Sequence, residues 1–549
     1  MSRIEDATRR AFLRSSAMSC LVAAGASGLL AQRVVQAQQP AGNPQFVPDL
    51  EIQLRAKEDH VPILRGHPTR VWRYDGTVVK GDPSGLSFLS NGYLPVLRVR
   101  KGQKVRIDLV NELPEPTIIH WHGLYVPASM DGHPRNAIAT GQHYVYEFQV
   151  LNRAGTYWFH AHPDGRTGAQ VYFGQAGVLI VGDDEESAVG LPSGPYDVPL
   201  LIQDRTFDDQ NQFTYLGDGE GGMTGRGMMG GGGMMMGPGG MGQGGMMGRG
   251  GMGQMMARMM GFLGDQILVN GKPDFVLSVA TRAYRLRLLN GSNTRIYKLA
   301  WSDRSPLAVI GTDGGLLGTP VERKYITLAP AERVDVWVDF SRWPIGTELT
   351  LQSLTFDGAT AMGGMMGDAT LPSGASFPVV KVRVEQRANT KAELPKQLAS
   401  LPAARPQDAI NARHPKVFNV TMGMMVWGIN GRSFDMDNVS KPETVRRNTA
   451  ELWEFRNEQS MMLMAHSMHV HGLQFRVLER TILPDFRASY RTLAAGLVDD
   501  GWKDTVLVMP GERIRLLLGF DRYTGMFLYH CHMLEHEDSG LMRNYLIEA

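Results

Sequence analysis

At 549 residues the chain is too long for a single hydrophobic core and points to about three domains. A formal net charge of +1, with 20% charged and 43% hydrophobic residues, fits a soluble globular protein and gives no sign of nucleic-acid binding.

The first residues form an address. Thr8-Arg9-Arg10-Ala11-Phe12-Leu13-Arg14 is a twin-arginine signal, an apolar run follows from about Ala17 to Leu30, and Val35-Gln36-Ala37 offers a small-residue cleavage site. That run is too short, and too rich in Ala, Gly and Ser, for a permanent membrane span. A signal peptide over residues 1–37, export to the periplasm and no membrane attachment after cleavage are therefore expected. Cleavage takes Arg3, Arg9, Arg10, Arg14 and Arg33 away against Glu5 and Asp6, turning the formal +1 into about −2. It also removes Cys20 and leaves Cys531 as the one thiol of the mature chain. An exported protein with one cysteine has no internal disulfide, and metal ligation is a chemical reason to keep the residue.

From about Pro48 onward, short alternating segments are separated by Gly, Pro, Asn and Asp. Lys104–Val110, Tyr144–Phe148 and Arg333–Val338 are examples, and no long amphipathic helix interrupts them. This pattern predicts an all-β protein built of sandwiches. Three internal echoes mark repeats. Gly155-Thr-Tyr-Trp-Phe-His160-Ala-His162 matches Gly525-Met-Phe-Leu-Tyr-His530-Cys-His532. Ala329-Pro-Ala-Glu-Arg-Val matches Met509-Pro-Gly-Glu-Arg-Ile, and Arg285-Leu-Arg-Leu-Leu-Asn290 matches Arg106-Ile-Asp-Leu-Val-Asn111. The repeats are placed at 48–185, 196–386 and 412–549, with 387–411 as a linker and the middle copy, which lacks histidine clusters, as a spacer.

An insert at 217–261 breaks the middle repeat. Between Leu216 and Phe262 the chain is mostly Gly and Met and holds fourteen of its 32 methionines. Such a stretch cannot bury a core and is expected to be disordered. Thioether is a soft ligand suited to Cu(I), so copper handling is its expected task. Met362, Met365 and Met366, then Met422, Met424 and Met425, then Met461, Met462 and Met464 repeat the theme, with core filling as the alternative.

Four clusters carry the chemistry: His120-Trp121-His122-Gly123, His160-Ala161-His162, His466-Ser467-Met468-His469-Val470-His471, and His530-Cys531-His532 with His536. They gather ten of the 15 histidines into the first and last repeats. On a strand, Cys531 points to one face while His530 and His532 point to the other. His536 returns from the following loop to the Cys531 side. A Cys and two His with a weak or absent axial ligand is what a blue-copper site requires.

These four motifs resemble those of the three-domain multicopper oxidases, over essentially the whole mature chain except the Gly/Met insert. The twin-arginine signal, the insert and Ile429-Asn-Gly-Arg-Ser-Phe-Asp-Met436 are similar to the bacterial periplasmic cuprous-oxidase and laccase-like branch. The resemblance implies three consecutive cupredoxin-like Greek-key β-sandwiches and four coppers per chain. His466, Cys531 and His536 would hold type 1 copper, and His120 and His469 type 2. His122, His160 and His532 would hold one type 3 copper, and His162, His471 and His530 the other. Asp131 and Glu537 take the family's proton-delivering positions, with hydrogen bonding to ligand histidines as their other role.

Two departures stand out. The axial position, ten residues after Cys531, is Leu541, where a cuprous oxidase would carry methionine. Met542 should face away unless a one-residue bulge intervenes. Ser460-Met461-Met462-Leu463-Met464-Ala465 keeps the methionines of a substrate Cu(I) site, with Met464 foremost, but lacks its acid. The expected function is four one-electron oxidations of Cu(I), and also of phenols and aromatic amines, coupled to reduction of O₂ to two waters in periplasmic copper tolerance. The alternatives are a laccase-like phenol oxidase whose insert only loads copper or gates access, and a copper-sequestering protein without redox work. No oligomerisation element is evident, and a monomer is expected.

Overall fold

The computed structural model describes residues 42–89, 93–216, 258–358, 370–389, 393–423, 426–458 and 463–549. The signal segment, insert residues 217–257, and Met362, Met365, Met366, Met424, Met425, Met461 and Met462 lie outside the described residues. Residues 42–549 form one compact unit, and among its described residues no helix is long and apolar enough to cross a membrane.

The fold is all-β: three cupredoxin-like sandwiches in succession, each of two facing sheets. Their strands run from Leu50–Val61 to Ala176–Gly182, from Asp197–Arg205 to Phe377–Gln386, and from Lys416–Met422 to Met542–Glu548. Each stretch repeats one pairing scheme. Leu50–Val61 lies parallel to Lys104–Asn111, Asp197–Arg205 to Ala283–Asn290, and Lys416–Met422 to Ala450–Asn457. Parallel neighbours need a crossover. In the first stretch the chain makes it through Leu86–Leu89 and Leu94–Arg100 in the opposite sheet, which is how one strand order builds two layers. The second strand of each pair then takes an antiparallel neighbour: His143–Gln149, Arg333–Asp339 or Glu512–Gly519. Two of the sequence echoes fall on equivalent strands of this scheme, and the third falls on Gly155–Ala161 and Gly525–Cys531 of the opposite sheets.

Alternation explains the layering. Lys104–Asn111 buries every second side chain, Val105, Ile107, Leu109 and Asn111. Each sandwich closes over its own apolar core, around Trp121 and Phe159 in the first, Tyr297 and Phe340 in the second, and Trp453 and Tyr529 in the third. Arg333–Asp339 breaks the alternation, being buried on both faces. One face lies on its own core, and the other meets the first sandwich, where Thr156 Oγ1 donates to Asp335 Oδ1 at 2.7 Å.

The turn before that strand is shared by two repeats. Glu332 Oε2 accepts from Ala329 N at 2.8 Å, and Glu512 Oε2 accepts from Met509 N at 2.7 Å. Both turns need a left-handed residue, Gly511 at φ +71° in the last repeat and Ala331 at φ +70° in the middle one. For alanine that conformation costs about 1–2 kcal/mol. Ala331 is fully buried, so its methyl offsets part of the strain through packing. In chemical denaturation, Ala331→Gly should change stability by less than about 1 kcal/mol, while the β-branched Ala331→Val should lose about 2 kcal/mol or more.

Candidate metal centres

The register of three strands sorts the ligand candidates onto two faces. Gly525–Cys531 pairs with His466–Val470, setting His469 opposite His530 and Met468 opposite Cys531. It pairs on its other side with Met542–Glu548, setting His530 opposite Met542 without a bulge. Directly opposed residues share a face. His530, His469 and Met542 therefore look one way, and Cys531 and Met468 the other. His466 goes with Met468 and His471 with His469 by the same period of two. Leu541, adjacent to Met542, falls on the Cys531 side, and its carbonyl accepts from Cys531 N at 3.0 Å.

On the cysteine side, Cys531 Sγ lies 3.5 Å from Nδ1 of both His466 and His536. His536 comes from a one-turn helix, Leu534–Asp538, rather than from the loop expected. Its Nε2 donates to the Met259 carbonyl at 3.1 Å, leaving Nδ1 to face the sulfur. Met259 is the buried tail of the Gly/Met-rich insert, and the Trp427 ring stands edge-on to His536 at 5.7 Å. His466 Nε2 has no partner. Burial pushes the Cys531 thiol up to about 12 and His536 down to about 4, and holds His466 well below the ordinary imidazole range. The three groups are neutral together, and a metal ion must displace the thiol proton to bind.

On the other face eight histidines converge from the first and last sandwiches. His120 Nε2 stands 3.3 Å from His469 Nε2, His160 Nε2 3.3 Å from His532 Nε2, and His471 Nε2 2.9 Å from His530 Nε2, with His162 Nε2 3.5 Å from the last. His120 and His160 are themselves cross-strand partners. Ligand atoms of His122, His160 and His532 lie within 4.8 Å of one another, as do those of His162, His471 and His530. All eight are fully buried. Burial first, and their mutual proximity next, hold His120 and His532 well below the usual imidazole range, and His160 at about 3.

Outer hydrogen bonds choose which nitrogen each ring presents. The Nδ1 groups of His120 and His469 face the carbonyls of Asp131 and Asp504 at 2.7 and 2.8 Å, freeing Nε2. His471 Nδ1 is held by Asp131 Oδ2 at 2.7 Å. Glu537 Oε2 lies 3.0 Å from His530 Nδ1, and its Oε1 3.5 Å from His162 Nε2. Burial alone would raise both carboxyls. It does so for Asp131, whereas the charge His530 and His162 can carry holds Glu537 at about 2. His122 is reversed: its Nε2 meets Asp504 Oδ1 at 3.0 Å and Thr505 Oγ1 at 3.1 Å, and its Nδ1 is left unpaired.

The structure thus brings together His120, His122, His160, His162, His469, His471, His530, His532, Asp131 and Glu537 in one place and His466, Cys531, His536 and Leu541 in the other. Met464 is buried two residues before His466, its carbonyl accepting from Asn457. Reading the sequence missed Asp504, Thr505, Arg333 and the Met259 carbonyl. Arg333 sits inside a quoted echo, where its repetition signalled only a strand. Gly123 carries another missed signal: at φ +85° a Cβ there would stand 2.4 Å from Asp504 Oδ2 and 2.8 Å from Arg333 Nη2.

The donors fit copper. Orphaned nitrogens on His122, His162, His466 and His532 are buried groups that require a partner. Imidazole suits copper, and a thiolate with two imidazoles is the blue-copper donor set. A tandem-sandwich protein with one cysteine-bearing and one eight-histidine centre is a copper oxidoreductase by architecture. Family models described as multicopper oxidase match residues 83–186 and 409–549. The laccase of Bacillus subtilis is 30% identical over 516 residues, covering 87% of this chain and 90% of that protein. Multicopper oxidase mco of Staphylococcus aureus is 30% identical over 463 residues, 83% of this chain and 82% of that one. The crystal structure of McoA multicopper oxidase from Aquifex aeolicus matches with a TM-score of 0.71 at 32% identity, over 92% of this chain and 97% of that one. The chain belongs to the multicopper oxidase family. It is an oxidoreductase with O₂ as acceptor.

Two outcomes follow from the geometry. In the folded copper-free protein Cys531 should resist alkylation at pH 8 and react only on unfolding, followed by mass spectrometry, because the thiol is fully buried as well as protonated. Gly123→Ala should cost about 2–4 kcal/mol and lower copper content, since a left-handed alanine must also displace a buried ion pair.

Proposed function

We propose that this chain is an exported oxidase whose foremost reducing substrate is Cu(I), with phenols and aromatic amines as secondary substrates, acting in periplasmic copper tolerance. The observation that carries the reading is the Met259 carbonyl on His536 Nε2. It places the end of a segment with fourteen methionines against the cysteine centre, and thioether is a ligand for Cu(I) rather than for phenols. Domain limits at 48–185, 196–386 and 412–549, a cleaved twin-arginine signal over 1–37 and a monomeric state belong to the same proposal.

Four coppers are assigned. His466, Cys531 and His536 would hold type 1, with Leu541 on the same side of the sheet, and His120 and His469 would hold type 2. His122, His160 and His532 would hold one type 3 ion, and His162, His471 and His530 the other. When bound, the ions supply one-electron exchange at the cysteine centre and joint delivery of four electrons to O₂ at the histidine centre.

The protein's own residues do the rest. The backbone from Cys531 to His530 and His532 links the two centres by the shortest covalent route. Burial holds His120, His122, His469, His471 and His532 well below the usual imidazole range, which favours their neutral form, and excludes water. Asp131, with Oδ1 unpaired, and Glu537, between His530 and His162, are placed to move protons towards the histidine centre. Met464, beside His466, is the best-placed of the substrate methionines, with Met461 and Met462 as candidates outside the described residues.

One observation favours a second reading, a laccase-like phenol oxidase. Leu541 gives the type 1 site no thioether, so the reduced state is favoured and the potential rises. The Bacillus relative named laccase agrees with it. A copper-sequestering role is the third reading, and an intense blue band with O₂ uptake would exclude it.

Deleting residues 221–260 should abolish most Cu(I) oxidation while sparing or raising oxidation of a small phenol. Phenol turnover indifferent to the deletion, with little Cu(I) turnover in the intact protein, would make it a laccase. Leu541→Met should lower the type 1 potential in redox titration. About 59 mV corresponds to a tenfold shift between oxidation states for one electron, and an unchanged potential would mean that the residue 541 side chain does not face the copper.

A further inference from the structure

We propose that Arg333, from the middle sandwich that carries no copper ligand, is a positioning residue for the histidine centre, acting through Asp504 on His122 and His469. The inference rests on the copper assignment above and extends it to the middle domain.

Every N–H of the Arg333 guanidinium is used. Nε donates to the Thr156 carbonyl of the first sandwich at 3.0 Å. Nη1 donates to Ala331 O at 3.0 Å and Asp504 Oδ1 at 2.7 Å, and Nη2 to Asp313 O at 3.1 Å and Asp504 Oδ2 at 2.6 Å. The side chains of Arg333 and Asp504 are both 0% exposed. Asp504 also receives Thr505 Oγ1 at 2.8 Å. A carboxylate gripped at both oxygens cannot rotate, and the fork geometry is one that lysine cannot reproduce.

Asp504 serves one histidine from each outer sandwich, His122 through the fixed carboxylate and His469 through its backbone carbonyl. Its Oδ1 receives His122 Nε2 at 3.0 Å, and its backbone carbonyl faces His469 Nδ1 at 2.8 Å. The first contact turns His122 around, so that it presents Nδ1 where most of its neighbours present Nε2. A ligand histidine's tautomer and ring orientation are set by the outer hydrogen bond it makes. Arg333 is held in turn by its own sandwich and by the third. Asp313 accepts from Arg333 N at 2.8 Å, Lys503 pairs with Asp313 and Glu332 at 3.2 and 3.0 Å, and Ser467, between His466 and His469, donates to the Pro330 carbonyl at 2.7 Å. The strained turn at Ala331 thus delivers a middle-domain side chain to a site built from the other two domains.

The test uses the full-length mature protein carrying Arg333→Lys, Arg333→Met, Asp504→Asn and the Arg333→Met/Asp504→Asn pair. The readouts are copper per chain after dialysis against a chelator, the type 2 electron paramagnetic resonance signal, the blue absorbance and the melting curve. Arg333→Met should retain the blue band, weaken retention of copper at the histidine centre by about 10–100-fold and alter the type 2 signal. Arg333→Lys, which keeps the charge without the fork, should restore stability but not that signal. The double substitution should add little to the copper loss of either single one. Two results would overturn the proposal. One is a wild-type type 2 signal and full copper in Arg333→Lys and Arg333→Met. The other is loss of both centres together in proportion to unfolding. Wild-type protein without a blue band or type 2 signal would instead sink the copper assignment beneath it.

Discussion

A β-strand must send consecutive side chains to opposite faces, and both centres depend on that constraint at one place. Between His530 and Cys531 the strand divides two donor sets that are one residue apart in sequence and on opposite sides of a sheet in space. The antiparallel neighbour His466–Val470 applies the same rule, contributing His466 to one side and His469 to the other. A slip of one residue in either strand would exchange the sets and destroy both sites. The register is guarded accordingly, by buried strands on both sides and by apolar packing around Cys531, Tyr529 and Tyr545.

Burial makes the second constraint. Eight imidazoles share one dry volume, and at His120, His122, His160, His162, His469, His471 and His532 desolvation favours the neutral form in which a ring nitrogen offers a lone pair. In His120 and His469 the Nδ1–H is already given to a backbone carbonyl, so their Nε2 atoms meet at 3.3 Å as two acceptors, and Nδ1 of His122, His162 and His532 has no partner at all. The folded chain holds an arrangement that is poor for a protein alone and good for one that binds several soft-to-borderline cations. Stability and metal affinity are linked through the same atoms.

The alternation along the strands, the three repeats and all four histidine clusters were legible in the sequence because each is a local pattern of period two or a matched phrase. The opposition of Cys531 to His530 and His532 was legible for the same reason, whereas the rest of the division between two centres was implied only by the family resemblance. What could not be read was whatever depends on a contact between distant segments that carries no pattern. Asp504 is one aspartate among many until Arg333 and His122 are seen beside it. The Met259 carbonyl is backbone, so no residue type announces it. His536 was placed on the correct side but on the wrong kind of element, since a five-residue helix is too short to show a helical period. Gly123 stood inside a recognised motif, yet its reason, the approach of an ion pair from two other sandwiches, is a property of packing.

The middle sandwich then needs a reason to exist other than spacing. A histidine centre made only of the two outer sandwiches could shear, because each contributes four of the eight histidines and the cross-strand hydrogen bonds end at the domain edge. Hydrophobic contact between domains is non-directional and would not prevent a displacement of an ångström. Directional bonds would, and the middle sandwich supplies them in a buried line: Thr156 to Asp335, Thr156 carbonyl to Arg333, Arg333 to Asp504, Pro330 carbonyl to Ser467. Breaking such a buried pair leaves a charge without compensation, at about 3–5 kcal/mol, so small motions at that interface are strongly opposed. The arrangement also accounts for a burial pattern that alternation alone does not. Arg333–Asp339 is covered on both faces because one face supports its own core and the other supports a site to which it gives no ligand.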